Sequence, residues 1–578
     1  MRLKHLFLFI CIGFIVFAGA CSDKKKEGGE VARKASAEDI FNYVPAHSPY
    51  VIGNVTPLPE PYLKKMITTW QKILPFQIKQ LETMTAQAQE TSKKQSEKIL
   101  INFAKAALTE MEAIKTPEDI LLQWGISPKA SGVVYGLGLL PAIRLQIVEK
   151  QKVEQLLTRL EEKSGEKMST ADFSGHSYHY IEIKDKIHLK AILSVTDSHL
   201  IVGLVPGEHA DFDKILPLLL GRNKPEPSLS RSDFAEKLSQ YSYPGYGDGY
   251  IDIQRIAAIM RGEGDGLNLA SFKALVPEPD FKLQIGCNTE FNRTLFENIP
   301  RMVFGLKALT ENAFDMEMVL ELSTGLIDIF KKLPQPMPDI ASQPDPMFAL
   351  GIGANIPELR MSIQRLLQFI IENNQDCPDM DTARVKNIMP KLNMAMSPMI
   401  SGLHSLIFSL DHMETDENDK PAMDTARACI AADMNDPQGI VAMGGAFIPA
   451  LANLNIRTDG TPVAVPLEGL PVKLPGLFVA IKDKRLALAV GAKADQRAKQ
   501  AVTGEGIEDM PLYWMKYQAS AWEQLIKSGL SATRKIKKDD QKMVLEAFEQ
   551  YKDMFKSITV ALYVTDNGLS FRESVVLN

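Results

Sequence analysis

Residues 195–203 read VTDSHLIVG, and residues 481–491 read IKDKRLALAVG. Each is an apolar run, a short polar break and a second apolar run. Alternation on both sides of a tight polar turn predicts a β-hairpin. In both places the hairpin leads toward a helical stretch. Finding one pattern twice, far apart in one chain, raises the question of an internal repeat.

Further pairs keep the same order. TENAF (310–314) lies within PRMVFGLKALTENAFDMEMVLELS, and TDNGL (565–569) within FKSITVALYVTDNGLSFRESVVLN. SGVVYGLG (131–138) matches LHSLIFSLD (403–411), each opening a hairpin whose second strand carries Arg144 or Arg427. PYVIGNV (49–55) matches PMFALGIG (346–353), and YGDGYIDIQRIAAIM (246–260) matches PLYWMKYQASAWEQLI (511–526) as strand followed by helix. The reading is an α+β body made of two diverged tandem copies, 38–335 and 340–578. Each copy is an antiparallel sheet of hairpins with packed helices.

The amino-terminal stretch has a different logic. Residues 6–20 carry no charge, and Arg2 and Lys4 precede them. That run is shorter than the roughly 20 residues a spanning helix needs. A basic start, an apolar middle and a small-residue end read as a secretory signal over 1–20. Ala18, Gly19, Ala20 and Cys21 resemble the lipobox of bacterial lipoproteins. The resemblance implies a diacylglyceryl group on the Cys21 thiol, cleavage before Cys21 and acylation (a palmitate-class chain) of the new amino terminus. Two or more chains anchor stably where one does not. Ser22 at the next position implies the outer membrane, facing the periplasm. Residues 21–37 (CSDKKKEGGEVARKASA) have too little apolar surface to fold and read as a flexible lipidated tether.

The body resembles a second group. YVPAHSPYVIGNVTPLP (43–59) is similar to the opening of large uncharacterised bacterial envelope proteins grouped as a domain of unknown function. AFIPALANLNIRTDGTPVAVPLEGLP (446–471) is similar to uncharacterised gammaproteobacterial lipoproteins. Neither resemblance implies an activity or a functional residue.

Composition sets further bounds. The 578 residues are 45% hydrophobic and 24% charged, which is ordinary globular chemistry with length for two or more domains. The net charge is −6 and falls to −8 when Arg2 and Lys4 leave with the signal. An acidic body without a basic patch excludes nucleic acid as an expected partner. Of five cysteines, Cys287, Cys377 and Cys429 belong to the body, in a compartment that permits disulfides. Cys287 beside Gly286 and Cys377 before Pro378 sit at element ends and form the expected pair, although spacing alone does not fix it. Cys429, inside TARACIAAD, reads as a small buried residue.

Motifs for chemistry are sparse. His176, His179, His188, His199 and His209 crowd one region, but alternate strand positions point to opposite faces, and no zinc spacing accompanies them. DHMETDENDKPAMD (411–424) lacks the central glycine of a calcium loop and reads as a solvated hairpin turn. Met394, Met396 and Met399 read as core rather than as a copper(I) cluster, since methionine fills irregular gaps. GYGDGYID (245–252) reads as a turn before a strand. No nucleophile motif or phosphate loop is present, so no cofactor or metal is expected; a hydrolase with dispersed residues stays open.

One contrast between the copies points to a surface. QKVEQLLTRLEEK (151–163) is amphipathic with a charged face, whereas its counterpart GIVAMGGAFIPALANL (439–454) has no charge. A helix apolar all round is buried or faces something apolar. Burial between the two copies is the first reading; if the body has a ligand or partner surface, Ile440, Met443, Phe447, Ile448 and Leu451 are where it is expected. The expectation is a non-catalytic envelope lipoprotein, held to the membrane by its anchor. It binds a partner protein or an apolar ligand; a periplasmic carrier of lipid or hydrophobic ligands is the alternative.

Overall fold

The computed structural model describes residues 39–91, 95–184, 187–207, 211–264, 266–276, 296–340, 345–372, 402–415, 421–446, 451, 454–467, 474–507, 510–519, 521 and 554–578. The chain forms two compact units, Met1–Met318 and Val319–Asn578. Helices and antiparallel strands are mixed in both, so the architecture is α+β.

Unit one runs β1 (Tyr50–Asn54), α1 (Glu60–Thr91), α2 (Gln95–Met111), α3 (Pro117–Trp124), β2 (Gly132–Leu137), β3 (Leu140–Gln146) and α4 (Lys150–Ser164). It continues with β4 (Ser169–Phe173), β5 (His176–Lys184), β6 (His188–Val195), β7 (His199–Pro206), α5 (Phe212–Leu220), α6 (Arg231–Leu238) and β8 (Tyr246–Asp252). It closes with α7 (Ile253–Met260), α8 (Gly266–Leu275), β9 (Arg301–Leu309) and β10 (Ala313–Glu321), in which the unit boundary falls. The sheet order is β9-β8-β1-β2-β3-β7-β6-β5-β4, antiparallel at every step.

Unit two contains α9 (Thr324–Phe330), β11 (Phe348–Gly353), α10 (Ile356–Glu372), β12 (Leu403–Thr415), β13 (Pro421–Met434), α11 (Pro437–Gly444) and β14 (Val463–Ala464). Then come β15 (Leu477–Lys482), β16 (Arg485–Val490), α12 (Ala494–Thr503), β17 (Tyr513–Gln518), β18 (Phe555–Thr565) and β19 (Gly568–Leu577). Its sheet order is β19-β18-β17-β11-β12-β13-β16-β15-β14. In each unit the opening strand sits between the second strand and a late one, and the third strand pairs across a chain crossover with the far strand of a later hairpin. Unit one carries an extra edge strand, β4, beside β5.

The quoted hairpins are β6–β7 and β15–β16. The second closes through Asp483 and Lys484, with Lys482 opposite Arg485 and Asp483 at φ +52°. That positive φ matches the right-handed strand twist that two-residue hairpin turns need. The helix after β16 packs through Ala494, Ala498, Ala501 and Val502, at helical spacing, onto Ala431, Ala480, Ala487 and Ala489. Small side chains on both surfaces let helix and sheet approach closely.

Two segments differ from the sequence reading. The glycine-rich stretch near Gly245 is part of β8 itself, not a turn before it. Gly249 lies opposite Ile52, and a Cβ there would stand 2.5 Å from the Val51 carbonyl oxygen. The glycine serves a close backbone approach. Asp411 is not in a solvated turn either, because β12 continues to Thr415. The Asp411 carboxylate, 9% exposed, pairs with Arg497 of α12 at 3.0 Å.

Candidate functional site

Unit one holds a small apolar cleft at the surface of its core, with a volume of about 30 Å³, room for a water or two. One wall is α1. Leu63, Met66, Ile67, Trp70, Gln71 and Leu74 line it. Their spacing (i, i+3, i+4, i+7, i+8, i+11) is one stripe of an α-helix. The other walls are Met111 at the end of α2, Ile114, Ile120 of α3, and Ile126, Ser127 and Pro128 beyond it. Beneath, Leu145, Val153, Leu156 and Leu200 complete the same core cluster.

Local chemistry fixes these walls. Helix α3 starts with a capping box: Thr116 Oγ1 accepts from the Asp119 N–H, and Asp119 Oδ2 accepts from the Thr116 N–H at 2.8 Å. Asp119 Oδ2 also accepts from the Lys115 N–H at 2.9 Å. These backbone donors, Lys115 first, hold the Asp119 carboxyl below its usual range. The helix ends at Gly125, φ +70°, whose N–H donates to the Leu121 carbonyl. The Gly125 carbonyl accepts from Val148 and Glu149 at 2.9 and 3.1 Å, which latches the end of α3 to the start of α4.

The polar groups of the cleft are few. Gln71 Nε2 donates to the Met111 carbonyl at 2.9 Å and to the Ile114 carbonyl. Its Oε1 accepts from Lys115 Nζ at 2.6 Å. The amide thereby satisfies carbonyls at the α2 terminus, which have no partner inside the helix. The walls have the chemistry of a small-molecule site, apolar with few polar groups, but a guest larger than water enters only if they part. Met66 and Met111 add side chains that adapt to the shape of a guest.

The residues singled out from sequence fall elsewhere. Helix α11 starts at Pro437, capped by Asp436 Oδ1 accepting from the Gly439 N–H at 2.8 Å, and ends at Gly444. Ile440 and Leu451 pack in one small core cluster of unit two with Val479, Ile481 and Leu486, while Met443 is 43% exposed. Phe447, Ile448, Cys21, Cys287, Cys377, His209 and the Met394–Met396–Met399 group lie outside the described residues. Cys429 is 1% exposed, and burial pushes its thiol up to about 12.

The histidines are dispersed. His179 Nδ1 lies 3.4 Å from Thr170 Oγ1, His188 Nε2 lies 3.3 Å from Glu182 Oε1, and His199 is buried edge-on to the Tyr43 ring. Among the described residues no group of three or more His, Cys, Asp or Glu side chains is placed to hold a metal ion. The cleft itself went unread in the sequence. The signal for it was the stripe on α1, which carries the glutamine among its apolar residues.

No protein-family model matches the chain, and neither a curated protein nor a solved structure shows significant similarity to it. Among the described residues, no helix is long and apolar enough to cross a membrane.

Proposed function

We propose that this chain is a non-catalytic lipoprotein of the cell envelope, anchored through Cys21, whose periplasmic body binds an apolar ligand in the cleft formed by α1, α2 and α3. The observation that carries the binding reading is the cleft: twelve lining residues, all apolar except Gln71 and Ser127, with the Gln71 amide engaged by backbone and Lys115. A wall whose polar atoms are satisfied gains nothing from water and favours a guest that removes apolar surface from it. The anchor and the outer-membrane address are carried over from residues 1–22. This reading moves the ligand site from residues 440–451 to α1–α3, and it favours the carrier alternative over a partner-protein scaffold.

The body is also proposed to be two diverged copies, 38–335 and 340–578. The shared strand order of the two sheets, including the crossover that sets β3 beside β7 and β13 beside β16, supports this.

Native mass spectrometry on the acyl-free body, from Ser22 onward and secreted to the periplasm, tests the function. Extra mass that dissociates as an apolar small molecule is expected, and Met66→Trp, which fills the cleft, should remove it. A clean mass in the parent chain, together with no uptake of a fluorescent apolar probe, would end the ligand-binding reading.

A further inference from the structure

We infer that unit one carries a phosphate-binding site, apart from the residues of the cleft, where Lys237 of α6, Arg255 of α7 and Arg301 of β9 gather around the Tyr250 hydroxyl. The site stands whether or not the cleft takes a guest.

The sheet brings the groups together. Tyr250 and Asp252 lie two residues apart on β8, so they point to one face. Arg301 is directly opposite Asp252 across the β8–β9 pair and shares that face. Asp252 caps α7, where its Oδ1 accepts from the Arg255 N–H at 2.8 Å, and its Oδ2 lies 3.4 Å from Arg255 Nε. Lys237 comes from the last turn of α6 and lies over the Tyr250 ring, 5.1 Å from its centre. Its Nζ donates to the Tyr250 hydroxyl at 3.4 Å.

The charges do not close among themselves. Asp252 serves Arg255 and the start of α7, and Asp233, one turn before Lys237, accepts from the Ser230 N–H at 3.1 Å through Oδ2. Both carboxylates act on Lys237. Burial and the two arginines, Arg301 before Arg255, outweigh them and hold its ammonium below the usual lysine range. The tyrosine adds a donor. Tyr250 is 2% exposed, its oxygen accepts from Lys237, and among the described residues its own O–H donates to none. A buried hydroxyl proton without an acceptor costs free energy. Three cations and an unused donor therefore meet at one corner. A carboxylate has two oxygens to offer them, whereas a phosphate brings more acceptor oxygens and up to twice the charge. Arginine forks match phosphate geometry, and a lysine ammonium meets it as a point charge.

Equilibrium dialysis of radiolabelled inorganic phosphate against the acyl-free chain, at fixed ionic strength, tests this. The parent chain should bind phosphate at a single saturable site. Tyr250→Phe should weaken binding about tenfold, as the loss of one hydrogen bond to a charged group implies. Lys237→Met should abolish it. Without phosphate, Lys237→Met should unfold at the same urea concentration as the parent or at a higher one, because it removes a cation that its surroundings disfavour. Sedimentation with phosphatidylglycerol vesicles, with phosphatidylcholine as control, distinguishes the source of the phosphate. Vesicle binding that is lost in Lys237→Met assigns a lipid head group, and binding in dialysis alone assigns a soluble phosphate. No bound phosphate, or binding unchanged in either variant, overturns the site. A lower urea midpoint for Lys237→Met would show that the lysine serves the fold and overturns it as well.

Discussion

Arg159 of α4 closes on Glu110 of α2, with Nη2 at 3.0 Å from Oε2 and the carboxylate 5% exposed. Lys163, one turn further along α4, reaches the other oxygen at 2.6 Å. Arg159 also donates to the Gln123 carbonyl at the end of α3, so one side chain ties three helices. Removing one partner of a buried pair leaves the other uncompensated. Both cations here are partly exposed, so Glu110→Ala should cost about 2–3 kcal/mol, below the usual range for fully buried pairs. Urea unfolding midpoints measure it. Glu110 adjoins Met111 in the cleft wall, so the same variant should weaken binding of the apolar ligand proposed for the cleft. An unchanged midpoint would show that the pair contributes nothing.

Gly125 makes a sharper demand on the backbone. Its φ is +70°, and a Cβ would stand 2.4 Å from the Glu149 carbonyl oxygen, an atom that cannot swing away. Gly125→Ala should therefore cost about 1–3 kcal/mol. It should also shift Ile126, Ser127 and Pro128 and so weaken ligand binding. Thermal melts and probe titration together check this; a neutral variant would show that α3 ends without that geometry.

Asp248 is buried in β8 with Tyr243, Gly305 and Leu306 around it, and accepts from the Gly245 and Leu306 N–H groups. Glu317 stands nearby, paired with Lys307 at 3.1 Å. Burial raises the Asp248 carboxyl to about 6, against the pull of the two N–H donors. The folded state therefore holds this proton over a range where the unfolded chain, near 3.9, has lost it. Stability from this group is full below about pH 4 and is lost as pH rises to about 6, by ~3 kcal/mol in total. Asp248→Asn should flatten that part of the profile. Unfolding free energies at several pH values between 4 and 7 decide it, and parallel profiles for parent and variant would refute the assignment.

Cys429 is held protonated by burial, with Arg497 pulling in the opposite direction. A buried thiol is inert because the thiolate is the nucleophile. Iodoacetamide at pH 8 should leave Cys429 unmodified in the folded chain and label it in denaturant. A digest without reductant should release Cys287 and Cys377 as one linked peptide. Separate peptides would discard the expected disulfide, and rapid labelling of native Cys429 would contradict its burial.

On the proposed acylation of Cys21, Cys21→Ala should release the body into the soluble periplasmic fraction. A variant that still sediments with membranes would show that another surface holds the protein there.

The hairpins, the charged face of α4 and the burial of Cys429 were legible in the chain because each depends on neighbours in sequence. Period-2 alternation writes a strand, 3.6-residue periodicity writes a helix, and a small residue between alanines writes a buried position. The uncharged run at 439–454 was legible as apolar and as a buried element, but which residues bury it was not. Ile440 and Leu451 become core through Val479 and Ile481, which arrive from another hairpin. Asp411 looked solvated among charged neighbours until Arg497, 86 residues later, closed on it. The cleft is the strongest case. Its wall was present as a stripe on α1, yet a stripe becomes a cavity only when other elements fail to fill it. The end of α2, α3 and the turn after α3 leave that space, and Gln71 and Lys115 become neighbours only across it. Sequence determined the elements, because local sterics and periodicity act within a few residues. Tertiary structure decided the site, because a cavity is a property of the packing between them.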